Sequence, residues 1–195
     1  MMGGLMFIFA AVLCLLGNLF FMKSYTVFLT LGLAMLFGLV GFLDDFFKLK
    51  YKRNLGLTSL QKALLQAAVS AIYLYILYKQ GSMSCVLYIP FTQTTFSIHP
   101  LVYIFFAMFV MVGTVNAVNI TDGVDGLCGT VTIPVMVFFT AAAVAAKQLE
   151  LALLPACLIG GLVAYLFYNW HPAKVFMGDT GSLFLGGIVC GMAFA

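Results

Sequence analysis

Charge is scarce in this sequence. Only 8% of its 195 residues are Asp, Glu, Lys or Arg, where a soluble domain carries roughly 25%. The chain is 64% hydrophobic, with a mean hydropathy of +1.15. One globule of this size cannot hide so much apolar surface, because apolar side chains would have to cover much of its exterior. A soluble enzyme, a secreted disulfide scaffold and a disordered chain are excluded, and the chain reads as an integral membrane protein. The net charge of +3 is too small to point to nucleic acid; the lysines instead mark loops facing the cytoplasm. The five cysteines, Cys14, Cys85, Cys128, Cys157 and Cys190, show no CxxC spacing. They read as small buried side chains with no disulfide framework. The opening Met-Met-Gly-Gly lacks a basic region and a cleavage site, so it is not a signal peptide.

What is present is a series of long apolar runs, at 3–22, 25–43, 63–78, 101–118, 127–146 and 151–170, with a seventh from 183. A bilayer core needs about 20 helical residues. The expected fold is therefore all-α: a polytopic membrane helix bundle of six full spans and a truncated seventh, forming one domain over 1–195. The seventh run supplies only Leu183 to Ala195, too short to cross, so the chain reads as a piece lacking both ends. Alternating spans place Lys48, Lys50, Lys52, Arg53, Lys62 and Lys174 on one side and Lys23, Lys79 and Lys147 on the other. That bias makes the first side cytoplasmic. All five aspartates, Asp44, Asp45, Asp122, Asp125 and Asp179, share it, and only Glu150 lies opposite. Carboxylates are costly beside hydrocarbon, so such clustering marks a functional site by default. The outer loop 79–100 holds two short alternating runs that suit a small hairpin, with Pro90 confining the first to an edge.

Three motifs carry chemistry. In Asp44-Asp45-Phe-Phe-Lys48, helical spacing lets Lys48 share a face with both carboxylates. Adjacent carboxylates invite Mg²⁺, and the lysine suits phosphate; the plainer alternative is a solvated helix end. In the segment 116–127, Asn116, Asn119, Asp122 and Asp125 recur at steps of three, while Gly123 and Gly126 allow positive φ and close ligand approach. The plainer alternative there is a polar inter-helix turn. In Phe176-Met-Gly-Asp179-Thr180-Gly-Ser182, Asp179 or Thr180 suits a helix cap, a helix N-terminus suits phosphate, and Phe176 suits stacking on a base or anchoring in the interface. His171 reads as an interfacial side chain. There is no P-loop. Carboxylates for Mg²⁺, a lysine and glycine turns for phosphate, and an aromatic together form the inventory of phosphoryl transfer.

On these three motifs, DDFFK at 44–48, NAVNITDGVDGL at 116–127 and FMGDTGS at 176–182, the chain resembles the polyprenyl-phosphate sugar-1-phosphate transferase superfamily. Within it, Met-Gly-Gly at 2–4, Gln61-Lys62 and the FMGDTGSL wording favour the phospho-N-acetylmuramoyl-pentapeptide transferase branch. The resemblance implies ten membrane helices, Mg²⁺, and transfer from UDP-MurNAc-pentapeptide to undecaprenyl phosphate, giving lipid I and UMP. It implies a multi-pass protein of the bacterial inner membrane with a cytoplasmic active site, and allows a homodimer. Carried over by motif, Asp179 is the metal ligand with Asn119 as a second. Asp44, Asp45, Lys48 and Asp122 form the catalytic group. Lys52, Lys62, Asn116, Asn119 and Asn169 face substrate, and Gly123, Asp125 and Phe176 form the uridine pocket. The family has a helix before Met-Gly-Gly, and two helices with a histidine-rich loop after the seventh run; here these are missing. Direct attack by the lipid phosphate and a two-step route through an aspartyl phosphate both remain open. The rival readings are a UDP-GlcNAc-using transferase of the same superfamily and, from a different class, a cation or proton transporter.

Overall fold

The structure, a computed structural model, describes residues 2–18, 24–51, 56–89 and 91–195. Lys23, Lys52, Arg53 and Pro90 lie outside the described residues. Seven helices are found among the described residues: α1 (Gly4–Gly17), α2 (Tyr25–Tyr51), α3 (Ser59–Lys79), α4 (Pro100–Thr121), α5 (Leu127–Ala145), α6 (Leu149–Asn169) and α7 (Gly178–Phe194). Five of them, α2 to α6, are long and apolar enough to cross a membrane. The chain is an all-α membrane bundle. Between α3 and α4, β1 (Val86–Ile89) and β2 (Thr94–Ser97) pair antiparallel, the hairpin that the alternating pattern predicts.

Local chemistry sets the helix ends. Thr58 and Gln61 open α3 with a capping box, each side chain bonding the other's amide. Pro100 opens α4 behind His99, whose Nδ1 accepts from the Leu101 amide. Gly126, at φ +75°, turns the chain into α5, and an L side chain would be strained there. Gly123 is not left-handed, so of the two glycines that allow positive φ there only Gly126 adopts it.

Two boundaries differ from expectation. The first run, expected as a span over 3–22, is helical over Gly4–Gly17 and stops at Asn18, whose side-chain Nδ2 donates to the Cys14 carbonyl; 19–23 lie outside the described residues. The seventh helix begins at Gly178, five residues before the apolar run. Its polar opening segment is thus helical rather than loop.

Helix α7 is the axis of the bundle, buried almost without break from Thr180 to Met192. One hydrophobic cluster joins α1, α5 and α6 to its Phe184–Leu185–Ile188 side. A second joins α2, α3 and α4 to Leu183 and Cys190. Small residues let the backbones close in, as in membrane helix packing: a β-carbon at Gly41 would collide with the Asp179 carbonyl, and one at Gly4 with Gly181. The outer faces are apolar, with Phe105 and Phe109 of α4 70% and 79% exposed, as lipid contact requires. Packing of α1 on α6 also brings Cys14 and Cys157 together as a disulfide, with Cα atoms 6.6 Å apart. This corrects the expectation of five unpaired cysteines; a contact across 143 residues leaves no spacing signal. Cys85, Cys128 and Cys190 are free.

Candidate active site

The C-terminal ends of α2, α4 and α6 and the N-terminal ends of α3, α5 and α7 share one end of the bundle, and there the polar side chains meet. Asp179, in the first turn of α7, is the hub. Its Oδ2 accepts from Lys48 Nζ of α2 at 3.0 Å and Lys62 Nζ of α3 at 2.8 Å, and its Oδ1 from Asn119 Nδ2 of α4 at 2.9 Å. Asn119 also donates to Ser182 Oγ at 2.8 Å, and Lys62 reaches Asn119 Oδ1 at 3.5 Å. Lys48 bridges back to Asp44, its i,i+4 neighbour, at 2.5 Å. Asp44 is buried, and its Oδ1 accepts the Leu57 amide at 2.7 Å. Four helices separated by up to 131 residues thus contribute to one polar centre.

Asp45 turns elsewhere. Its Oδ2 accepts from the Thr180 amide at 2.9 Å and the Thr180 hydroxyl at 2.7 Å, and its Oδ1 from the Asp179 amide at 3.3 Å. Neither Asp179 nor Thr180 caps α7, contrary to the sequence expectation; the N-cap residue, Met177, makes no side-chain cap bond. The cap comes from α2.

Other candidates sit around this centre rather than in it. Asn116, one turn deeper on α4, exchanges amide hydrogen bonds with fully buried Gln66 of α3, at 2.6 and 3.3 Å. Asn169 is buried; it accepts from the Gly126 amide and donates to the Val175 carbonyl. It ties the 122–126 turn to the 170–177 segment. Asp125 accepts from the Ala173 amide and pairs with His171 Nδ1, both at 3.1 Å. Gly123 is exposed in the turn, and Phe176 is half exposed, with its carbonyl accepting the Gly3 amide. Lys52 lies outside the described residues. Sequence reasoning passed over Gln66, Ser182 and the Leu57 amide. A glutamine one turn after Lys62 in an apolar helix was the available signal for the first.

Electrostatics separate the two turn aspartates. Burial pushes the Asp122 carboxyl up to about 7, the nearby Asp179 charge adds to this, and the Gly178 amide opposes it. The Ala173 amide, then His171, hold Asp125 below the usual carboxylate range. Asp44, Asp45 and Asp179 each offer an oxygen within 4.8 Å of the others, so the cluster can bind a metal. An all-oxygen set with a carboxamide beside it suits a hard divalent cation.

Residues 26–195 match glycosyl transferase family 4. The chain belongs to that family. Similar members are phospho-N-acetylmuramoyl-pentapeptide-transferases: 42% identical in Clostridium acetobutylicum over 98% of this chain and 60% of the relative, and 42% in Oceanobacillus iheyensis with the same coverage. A third, from a Thermoanaerobacter species, is 43% identical over 96% of this chain and 58% of its own length. This glycosyl transferase family 4 chain spans about three fifths of the curated relatives it matches.

Proposed function

We propose that this protein transfers phospho-MurNAc-pentapeptide from UDP-MurNAc-pentapeptide to undecaprenyl phosphate, forming lipid I and UMP at the cytoplasmic face of the bacterial inner membrane. The observation that carries the reading is the convergence of Lys48, Lys62 and Asn119 on Asp179. Carboxylates beside paired lysines at a bilayer boundary suit a lipid phosphate meeting a nucleoside diphosphate. The names of the relatives supply the transferred group, phospho-N-acetylmuramoyl-pentapeptide; the UDP carrier and the undecaprenyl phosphate acceptor follow from the resemblance of the three motifs.

The reaction forms one P–O bond and breaks one. A lipid phosphate oxygen attacks the β-phosphorus of the UDP-sugar, the bridging P–O bond breaks, and its electron pair leaves on UMP. A phosphate with second pKa ≈ 6 is largely ionised at neutral pH, so Asp44 has only to orient the nucleophile or take its last proton. Lys48 and Lys62 are placed to neutralise the diphosphate once their ion pairs with Asp179 rearrange. Asp179 and Asn119 Oδ1 would hold Mg²⁺, which when bound supplies further neutralisation of the transferring group. Asp122 lies beside them, and Asp125, Gly123 and Phe176 flank the uridine.

The direct test is Mg²⁺-dependent UMP release in the presence of undecaprenyl phosphate. Asp179→Asn should abolish it; turnover within about tenfold of the parent would remove Asp179 from the metal site. Phe176→Ala should weaken UMP binding by roughly 1–3 kcal/mol, the range for base–aromatic stacking, without changing Mg²⁺ affinity. An unchanged UMP dissociation constant would leave Phe176 as an interfacial anchor.

A further inference from the structure

Successive residues on an α-helix point about 100° apart, so the neighbours Asp44 and Asp45 cannot do the same work. Asp44 faces Lys48 and the Leu57 amide. Asp45, only 5% exposed, accepts from two backbone amides and one hydroxyl of the first turn of α7. That turn has no cap of its own, and its polar residues would otherwise leave amide groups unpaired at a buried helix end. One turn earlier on α2, Gly41 has no room for a β-carbon against the Asp179 carbonyl. The two backbones therefore meet directly where the carboxylate reaches over.

We propose that Asp45 is a positioning residue rather than a reacting one: its carboxylate caps α7 from α2 and thereby holds the Asp179 side chain where Lys48, Lys62 and Asn119 converge. The carboxylate also lies at the positive end of the α7 dipole, where an anion is favoured. It acts on the centre through the backbone of Asp179 and Thr180. Its relevance to transfer rests on the proposed function; the cap itself does not.

The test compares Asp45→Asn, Asp45→Ala and Asp44→Asn in the detergent-purified chain, each read by hydrogen exchange and by Mn²⁺ affinity. Loss of the cap should speed exchange of the Asp179 and Thr180 amides about fivefold in Asp45→Ala, the scale of a lost helix cap. Asp45→Asn, which keeps one acceptor oxygen in place, should fall between this and the parent, and Asp44→Asn should match the parent. Mn²⁺ binding should weaken in Asp45→Ala and recover most of the way in Asp45→Asn. Unchanged exchange in Asp45→Ala would overturn the proposal. So would an Asp45→Asn variant that loses Mn²⁺ as fully as Asp179→Asn, since Asp45 would then be a ligand. Neither readout needs turnover, so a parent that releases no UMP would count against the transferase reading alone.

Discussion

At the residue scale, similar side chains in this site have different duties because of what each one faces. Asp44 meets a lysine, Asp45 meets backbone amides, and Asp125 meets a histidine and an amide at the rim. The burial of Asp122 outweighs its partners, and this fixes the sign of a pH effect. Its folded pKa of about 7 lies above the value of a free aspartate. The neutral form is thus favoured by folding, and the stability this contributes is complete below about pH 4 and lost as pH rises through 7. Asp122→Asn should therefore raise the apparent unfolding midpoint in EDTA at pH 8, by an equivalent of about 2 kcal/mol after solvent screening, with the gain vanishing near pH 4. A gain that does not depend on pH would show that Asp122 is not strained by burial. The residue types at this site, and their gathering on one side, are visible in the sequence. Their pairings are not, since Lys62 to Asp179 and Gln66 to Asn116 join helices through contacts 117 and 50 residues apart.

At the element scale, α7 shows where hydropathy misleads. Its apolar run starts at Leu183, yet the helix starts at Gly178, because Asp45 of another helix satisfies the amides of the polar first turn. The same closeness makes the α2–α7 contact sensitive to volume. Gly41→Ala should destabilise the bundle by about 1–3 kcal/mol, as overpacking does, and should also displace Asp179 and weaken Mn²⁺ binding. A variant with parent-like stability and metal affinity would mean that the two helices part without cost. The loops obey a similar logic. Asn169→Ala should leave the Gly126 amide unpaired and the Val175 carbonyl with only the 3.5 Å bond from the Tyr165 hydroxyl, at a cost of about 1–3 kcal/mol, read as a lower unfolding midpoint. Parent-like unfolding would show that the two segments do not depend on this bridge.

At the scale of the whole molecule, the bundle is polarised. All five aspartates lie at one end and Glu150, bonded to the Ser24 amide, lies at the other with the hairpin and Lys79. If the acidic end is cytoplasmic, Cys85 beside the hairpin should react with a membrane-impermeant maleimide added outside intact cells; Cys128 and Cys190 are buried and Cys14 and Cys157 are paired. A cysteine placed at Val124, 63% exposed in the opposite turn, should react only after permeabilisation. The reverse pattern would invert the topology. The sequence alone determined the membrane class, the number and order of the helices, the hairpin and the sidedness of the carboxylates, because hydropathy, alternation and charge are local properties of the chain. Only the tertiary structure decided that α7 is the axis, that Asp45 caps it, that Asn116 and Asn169 bind neighbouring protein groups, and that Cys14 meets Cys157. Each of these depends on which helix packs beside which, and side-chain spacing within one helix does not carry that information.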